Sequence, residues 1–156
     1  MATATARVTR TRIIAAPRAE VWACMADLDL LGGLIDALEE VRPLDGGGHQ
    51  FLLTPIHALG QRFRPGAQLQ VEFMAPERVT FTPVAESASS ASADGSIALT
   101  PSDDATHVQM SIDVRLELSL PRLFSGPASA VLAHELRVAF DGFLVNLDTA
   151  ATRPGA

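Results

Sequence analysis

The chain has 156 residues, 47% of them hydrophobic, and a formal net charge of −6. That length and apolar content fit a single domain over residues 1–156, with an ordered core at about 6–150. The negative balance opposes binding driven by nucleic-acid phosphate. The lack of any apolar run of ~18 residues or of a signal-peptide pattern argues against stable membrane insertion or secretion.

A lone cysteine, Cys24, excludes an internal disulfide and fits a reducing cytoplasm. Met1 to Thr5 and Thr152 to Ala156 are expected to fray. Ala6 to Ala16, rich in Thr, Val and Ile, reads as a first strand, with Arg7, Arg10 and Arg12 on its wet face. Pro17 suits the start of a helix, where its missing N–H is harmless. Val21, Trp22, Met25 and Leu28 then recur at helical spacing. A second short helix is expected over Leu30 to Leu38 despite Gly32-Gly33. Val41 to Leu44 reads as a short strand and Asp45-Gly46-Gly47-Gly48 as a turn.

A meander follows, with strands at His49–Thr54, at Gly60–Phe63 continuing through Ala67–Met74, and at Arg78–Ala85. Pro65-Gly66 interrupts the second of these. The Ser/Ala stretch from Glu86 to Ala93 has two readings. It is a flexible loop, or it is the first arm of a hairpin that turns at Asp94-Gly95 and returns along Ser96–Thr100. In the second reading its small side chains leave room beside the sheet for a ligand. Asp103-Asp104 turns the chain into its longest regular stretch. From Thr106 to Leu120, Val108, Met110, Ile112, Val114, Leu116 and Leu118 alternate with Gln109, Ser111, Asp113, Arg115 and Glu117, one dry face and one wet.

The last element is a helix beginning near Pro127, with Ser125 or Gly126 at its cap. Leu132, Leu136, Ala139, Phe140, Phe143 and Leu147 form one stripe, and His134, Arg137, Asp141 and Asp148 fall opposite. Burying the large residues of that stripe contributes on the order of 10 kcal/mol gross, so the helix must dock. A long half-buried strand feeding such a helix predicts an α+β fold in which a sheet wraps a helix, with a hydrophobic pocket between them.

The wall of that pocket is expected from Leu69, Val71, Phe73, Phe81, Met110, Ile112, Val114, Leu136, Phe140 and Phe143, with Val79 on the same face. Glu135 and Asn146 sit on the shoulder of the helix stripe, about 90° from its centre at 100° per residue, and are the polar candidates for the rim. His49 shares parity with Phe51 and Leu53. Acid–base catalysis needs titratable groups converging in the cavity, and Glu135, Asn146, His49 and Arg12 are the candidates. His49, His57, His107 and His134 form no i, i+4 pair, so no metal site is expected. Neither a Walker loop nor a dinucleotide glycine fingerprint is present, so no cofactor is expected.

Ile13-Ile14-Ala15-Ala16-Pro17, then Glu20-Val21-Trp22, then Asp27-Leu28, resembles the opening of the START/polyketide-cyclase (SRPBCC) superfamily. Pro76-Glu77-Arg78-Val79, Asp94-Gly95 before Ser96-Ile97, and the long strand before a C-terminal helix resemble its later steps. The likeness runs from about Ala6 to Ala150. Gly32-Gly33-Leu34 departs from it, since many relatives carry an aromatic residue and a proline there. The resemblance implies a helix-grip fold: a curved seven-stranded antiparallel sheet around a long C-terminal helix, with two short N-terminal helices. It implies no universal catalytic residue. The expected function is binding of a hydrophobic small molecule of lipid, polyketide or aromatic type, by a monomer or homodimer. A cyclase, aromatase or dehydratase and an interaction or assembly protein are the other expectations.

Overall fold

The computed structural model describes residues 1–84 and 91–153. Its strands are β1 (Ala2–Ile14), β2 (Leu38–Pro43), β3 (His49–Leu53), β4 (Ile56–Ala58), β5 (Gln61–Phe63), β6 (Gly66–Met74), β7 (Arg78–Pro83), β8 (Ala91–Ser102) and β9 (Ala105–Leu118). The α-helices are α1 (Arg18–Ala23), α2 (Leu28–Gly33) and α3 (Ser125–Thr152). Among the described residues, seven strands form one sheet in the order β1-β9-β8-β7-β6-β3-β2. Neighbours run antiparallel, apart from one parallel bridge between Ala67 and Ala91 beyond the end of the shorter β7. The 28-residue α3, about 42 Å long at ~1.5 Å per residue, lies in the grip of this sheet, and α1 and α2 close its other side. This is the helix-grip architecture. No helix of the described residues is long and apolar enough to cross a membrane.

The first strand begins earlier than its composition suggests. Residues 2–5 do not fray: Ala2 pairs with Leu118 and Ala4 with Leu116, and both alanines are buried. As an edge strand, β1 leaves a row of N–H groups without ladder partners. Two of them are satisfied by the helix, since Thr3 N donates to Ser125 Oγ at 3.1 Å and Thr5 N to Ser129 Oγ at 3.0 Å. Ser125 therefore serves the sheet and does not cap α3, whose N-terminus follows directly from a 3₁₀ turn over Arg122–Phe124.

The three arginines of β1 do not share one wet face. Arg7 pairs with Asp113 on the outer side of the sheet. Arg10 and Arg12 share parity with buried Val8 and Ile14 and meet α3. Arg12 Nε reaches Asp148 Oδ2 at 2.7 Å. Arg10 Nε lies 3.2 Å from Asp141 Oδ1 but is not aligned for a hydrogen bond. Asp141 and Asp148, expected on the solvent side of the helix, thus clasp it to the sheet edge.

The two short helices are placed differently from expectation as well. Asp27 caps α2 by accepting from Leu30 N at 2.9 Å, so Leu28 opens the second helix and α2 ends at Gly33. Residues 38–43 are strand β2. The Gly-rich turn is present, with Gly47 and Gly48 at φ 96° and 80°. Gln61–Phe63 does not continue into the next strand. It pairs with Ile56–Ala58 as a separate two-stranded hairpin, turned by Leu59 and Gly60, both at positive φ.

Asp94-Gly95 is not a hairpin turn. It lies within β8, where Gly95 pairs with Phe81 on one side and Ile112 on the other. A Cβ on Gly95 would come within 2.8 Å of Ile112 Cα and closer still to the Ser111 carbonyl. Here the glycine permits close strand contact and not a reversal. The described end of the expected first arm, from Ala91, and the second arm are one strand, with Ala91 and Ala93 buried in its first part. Residues 86–90 of the Ser/Ala stretch lie outside the described residues.

Candidate functional site

The interior is built as clusters around a space, not as one continuous core. One cluster joins Trp22, Met25 and Leu31 to Val79, Val108, Phe143 and Leu147. A second, around the start of α3, joins Ala2, Ala4, Leu116, Leu118, Ala128 and Leu132. A third gathers Phe51, Leu69 and Ala93. Between them lies a partly open cavity of about 200 Å³. From the sheet it is bordered by Phe51, Leu69, Phe81, Ala93, Met110, Ile112 and Val114. From α3 come Leu132, Glu135, Leu136, Ala139, Phe140 and Phe143. That order is the i, i+3, i+4, i+7 repeat of one helical face.

The cavity exists because of where small residues fall. Gly66, Ala67, Ala91 and Ala93 line it from adjacent strands, and Ala139 lines it from the helix. None of them carries a side chain long enough to bridge the gap. As a result Phe81, Ile112, Val114, Leu136 and Phe140 are only half-buried, although each points inward. The exposed members of the lining are Thr54 and Glu135. They place the mouth between the β3–β4 connection and the middle of α3.

Of the expected wall residues, Val79 is instead a member of the first cluster, and all the others border this cavity except Val71 and Phe73. Those two pack against the first cluster, where Phe73 meets the Trp22 ring edge-on at 6.3 Å between centroids. Sequence reasoning missed the contribution of Ile35, Leu38 and Ile56. Ile35 follows the end of α2, and Leu38 and Ile56 are the first residues of β2 and β4. Positions at the ends of such short elements carry no periodic signal. Ala91 and Ala93 border the cavity, so small side chains do leave room beside the sheet although no hairpin turns at Asp94-Gly95.

The polar lining is sparse. Ser111 turns its hydroxyl toward Thr9 Oγ1 at 3.3 Å, on the outer side of the sheet. Ser92 and Ser96 have the same parity as exposed Asp94, opposite to buried Ala91, Ala93 and Ile97. Among the described residues, Glu135 is the one lining residue with an ionisable side chain. The other polar candidates lie elsewhere. Asn146 Nδ2 donates to Leu34 O at 2.9 Å and to Asp36 Oδ1 at 3.2 Å, fastening α3 to the chain after α2. His49 rests edge-on against Phe51 at the outer end of β3, and Arg12 is held by Asp148. Burial, with the nearby Glu20 carboxylate, pushes the Cys24 thiol up from its ordinary value, which disfavours the reactive thiolate. Among the described residues, no group of three His, Cys, Asp or Glu side chains is arranged to hold a metal ion.

Solved structures with this architecture are numerous. The protein TTHA0849 from Thermus thermophilus is 18% identical, with a TM-score of 0.66 over 97% of this chain and 100% of that one. The Zhui aromatase/cyclase from a Streptomyces species is 17% identical, with a TM-score of 0.69 over 96% of this chain and 94% of that one. A conserved protein from Geobacillus kaustophilus is 14% identical, with a TM-score of 0.66 over 95% of this chain and 96% of that one. At these identities the likeness shows the fold. No functionally curated protein matches the sequence. A family model described as polyketide cyclase / dehydrase and lipid transport matches residues 5–152. With nearly its whole length matched and a helix-grip sheet closed around its last helix, the chain belongs to that polyketide cyclase / dehydrase and lipid transport family.

Proposed function

We propose that the protein binds a hydrophobic small molecule, of lipid, polyketide or aromatic type, in the cavity between the sheet and α3. The observation that carries this reading is the unfilled space itself. Protein interiors pack with few voids larger than a water molecule. A space of about 200 Å³ leaves the residues around it without packing partners on that side. A ligand that fills it recovers the lost contacts. An engineered dry cavity of ~150 Å³ takes benzene, so the space suits one or two fused rings or a short stretch of aliphatic chain.

The family description includes cyclases and dehydrases, and the Streptomyces relative is named an aromatase/cyclase. Turnover of that kind needs an acid and a base together. Glu135 supplies one ionisable group to the wall, while Asn146, His49 and Arg12 are engaged elsewhere. This supports binding over catalysis. Native mass spectrometry of freshly purified protein tests the reading. The expected result is an added mass that organic extraction removes and that belongs to a hydrophobic compound. Protein that emerges bare, and that takes up no hydrophobic compound from a broad panel, overturns it.

A further inference from the structure

Building on the binding role proposed above, we infer that the cavity selects ligands by the head group presented at its mouth. It takes an apolar body carrying a neutral or cationic hydrogen-bond donor, a hydroxyl or an ammonium, and rejects the matching carboxylate. The inference rests on one residue and its surroundings. Glu135 occupies the same helical face as Leu132, Leu136 and Ala139, yet it is exposed where they turn inward. A ligand body lodged against Phe140 and Met110 therefore ends beside this carboxylate.

Among the described residues, no hydrogen bond or ion pair engages Glu135. A carboxylate is an acceptor only, so it can be satisfied by a donor on the ligand and not by a second carboxylate. Asp36 lies between the lining residues Ile35 and Ala37, and Glu39 next to Leu38 is neutralised by Arg64 at 2.8 Å. Among the described residues, no arginine borders the cavity. An anionic head thus meets the Glu135 carboxylate in a wall whose described residues offer it no cation.

The test uses three tail-matched probes: 2-naphthylmethylammonium, 2-naphthylmethanol and 2-naphthoate. Each is titrated by calorimetry into the intact protein and into the Glu135→Gln and Glu135→Lys variants. Glu135 is exposed on a helix, and both replacements keep good helix propensity, so the variants fold. The ammonium and the alcohol are expected to bind about three- to fivefold tighter than the naphthoate. Glu135→Gln should erase the advantage of the ammonium, and Glu135→Lys should turn the preference toward naphthoate. Equal binding of all three probes, or tightest binding of naphthoate by the native protein, overturns the head-group inference and leaves the binding role standing. Failure of every probe, together with protein that purifies bare, overturns the binding role and this inference with it.

Discussion

Replacing Ala139 with leucine should stabilise the protein and abolish ligand uptake at once. Ala139 borders the cavity from α3, and Gly66, Ala67, Ala91 and Ala93 are among the residues that border it from the sheet. Leucine adds three carbons, each worth ~0.8 kcal/mol when buried, less ~0.5–1 kcal/mol of side-chain entropy. The net gain is about 1.5 kcal/mol, since alanine and leucine are both strong helix formers. In a filled core the same change would overpack and cost ~1–3 kcal/mol, so the two cases differ in sign. Urea unfolding followed by circular dichroism reads the result as a higher midpoint at unchanged m-value, or a melting temperature raised by about 3–6 °C. Calorimetry with 2-naphthylmethanol reads the loss of binding. A lower midpoint, or a higher one with binding intact, would refute the placement of the cavity.

Gly95→Ala should cost about 3 kcal/mol or more, because the new Cβ meets main-chain atoms of β9 that cannot swing away. Were Gly95 a turn residue the cost would be about 1 kcal/mol, so a urea midpoint shift that small would refute the strand pairing. Thr106 is fully buried and its Oγ1 donates to Ala16 O at 2.8 Å. Thr106→Val should therefore cost about 1–3 kcal/mol, and an unchanged midpoint would refute that role. The Arg7 hydrogen bond, ahead of its charge, holds the Asp113 carboxyl below its ordinary value. A depressed carboxyl stabilises the fold above its unfolded pKa, and that contribution is lost as pH falls through the folded value. Native protein should therefore exceed Asp113→Asn in stability at neutral pH, and the gap should close on acidification. Both partners are exposed, so added salt should also narrow it. A gap that widens toward acid pH would contradict the assignment.

The parts of the fold that the sequence makes legible are those with a long, unbroken period. The alternation through β9 and the apolar stripe of α3 identify the two surfaces that enclose the cavity. Residues whose identity is ambiguous alone are the ones misread. Ala2 and Ala4 are too small to signal burial, yet they pack under α3. Asp94-Gly95 has the local chemistry of a turn, but pairing with both β7 and β9 outweighs it. Arg10 and Arg12 look like surface charge on a strand. Their partners Asp141 and Asp148 lie seven residues apart on α3, and only the docked geometry reveals the match. The cavity wall is readable where long strands and the long helix supply it. It is unreadable at Ile35, Leu38 and Ile56, because a residue at the edge of a short element has too few neighbours to fix which way it points.

The most direct test of the account is an isotope-filtered NMR experiment on the protein saturated with 2-naphthylmethanol. Naphthyl protons should show cross-peaks to the methyl groups of Met110, Ala93 and Ala139, placing the ring between the sheet and α3. Cross-peaks confined to Val138 and Val145, which face outward from the same helix, would contradict it.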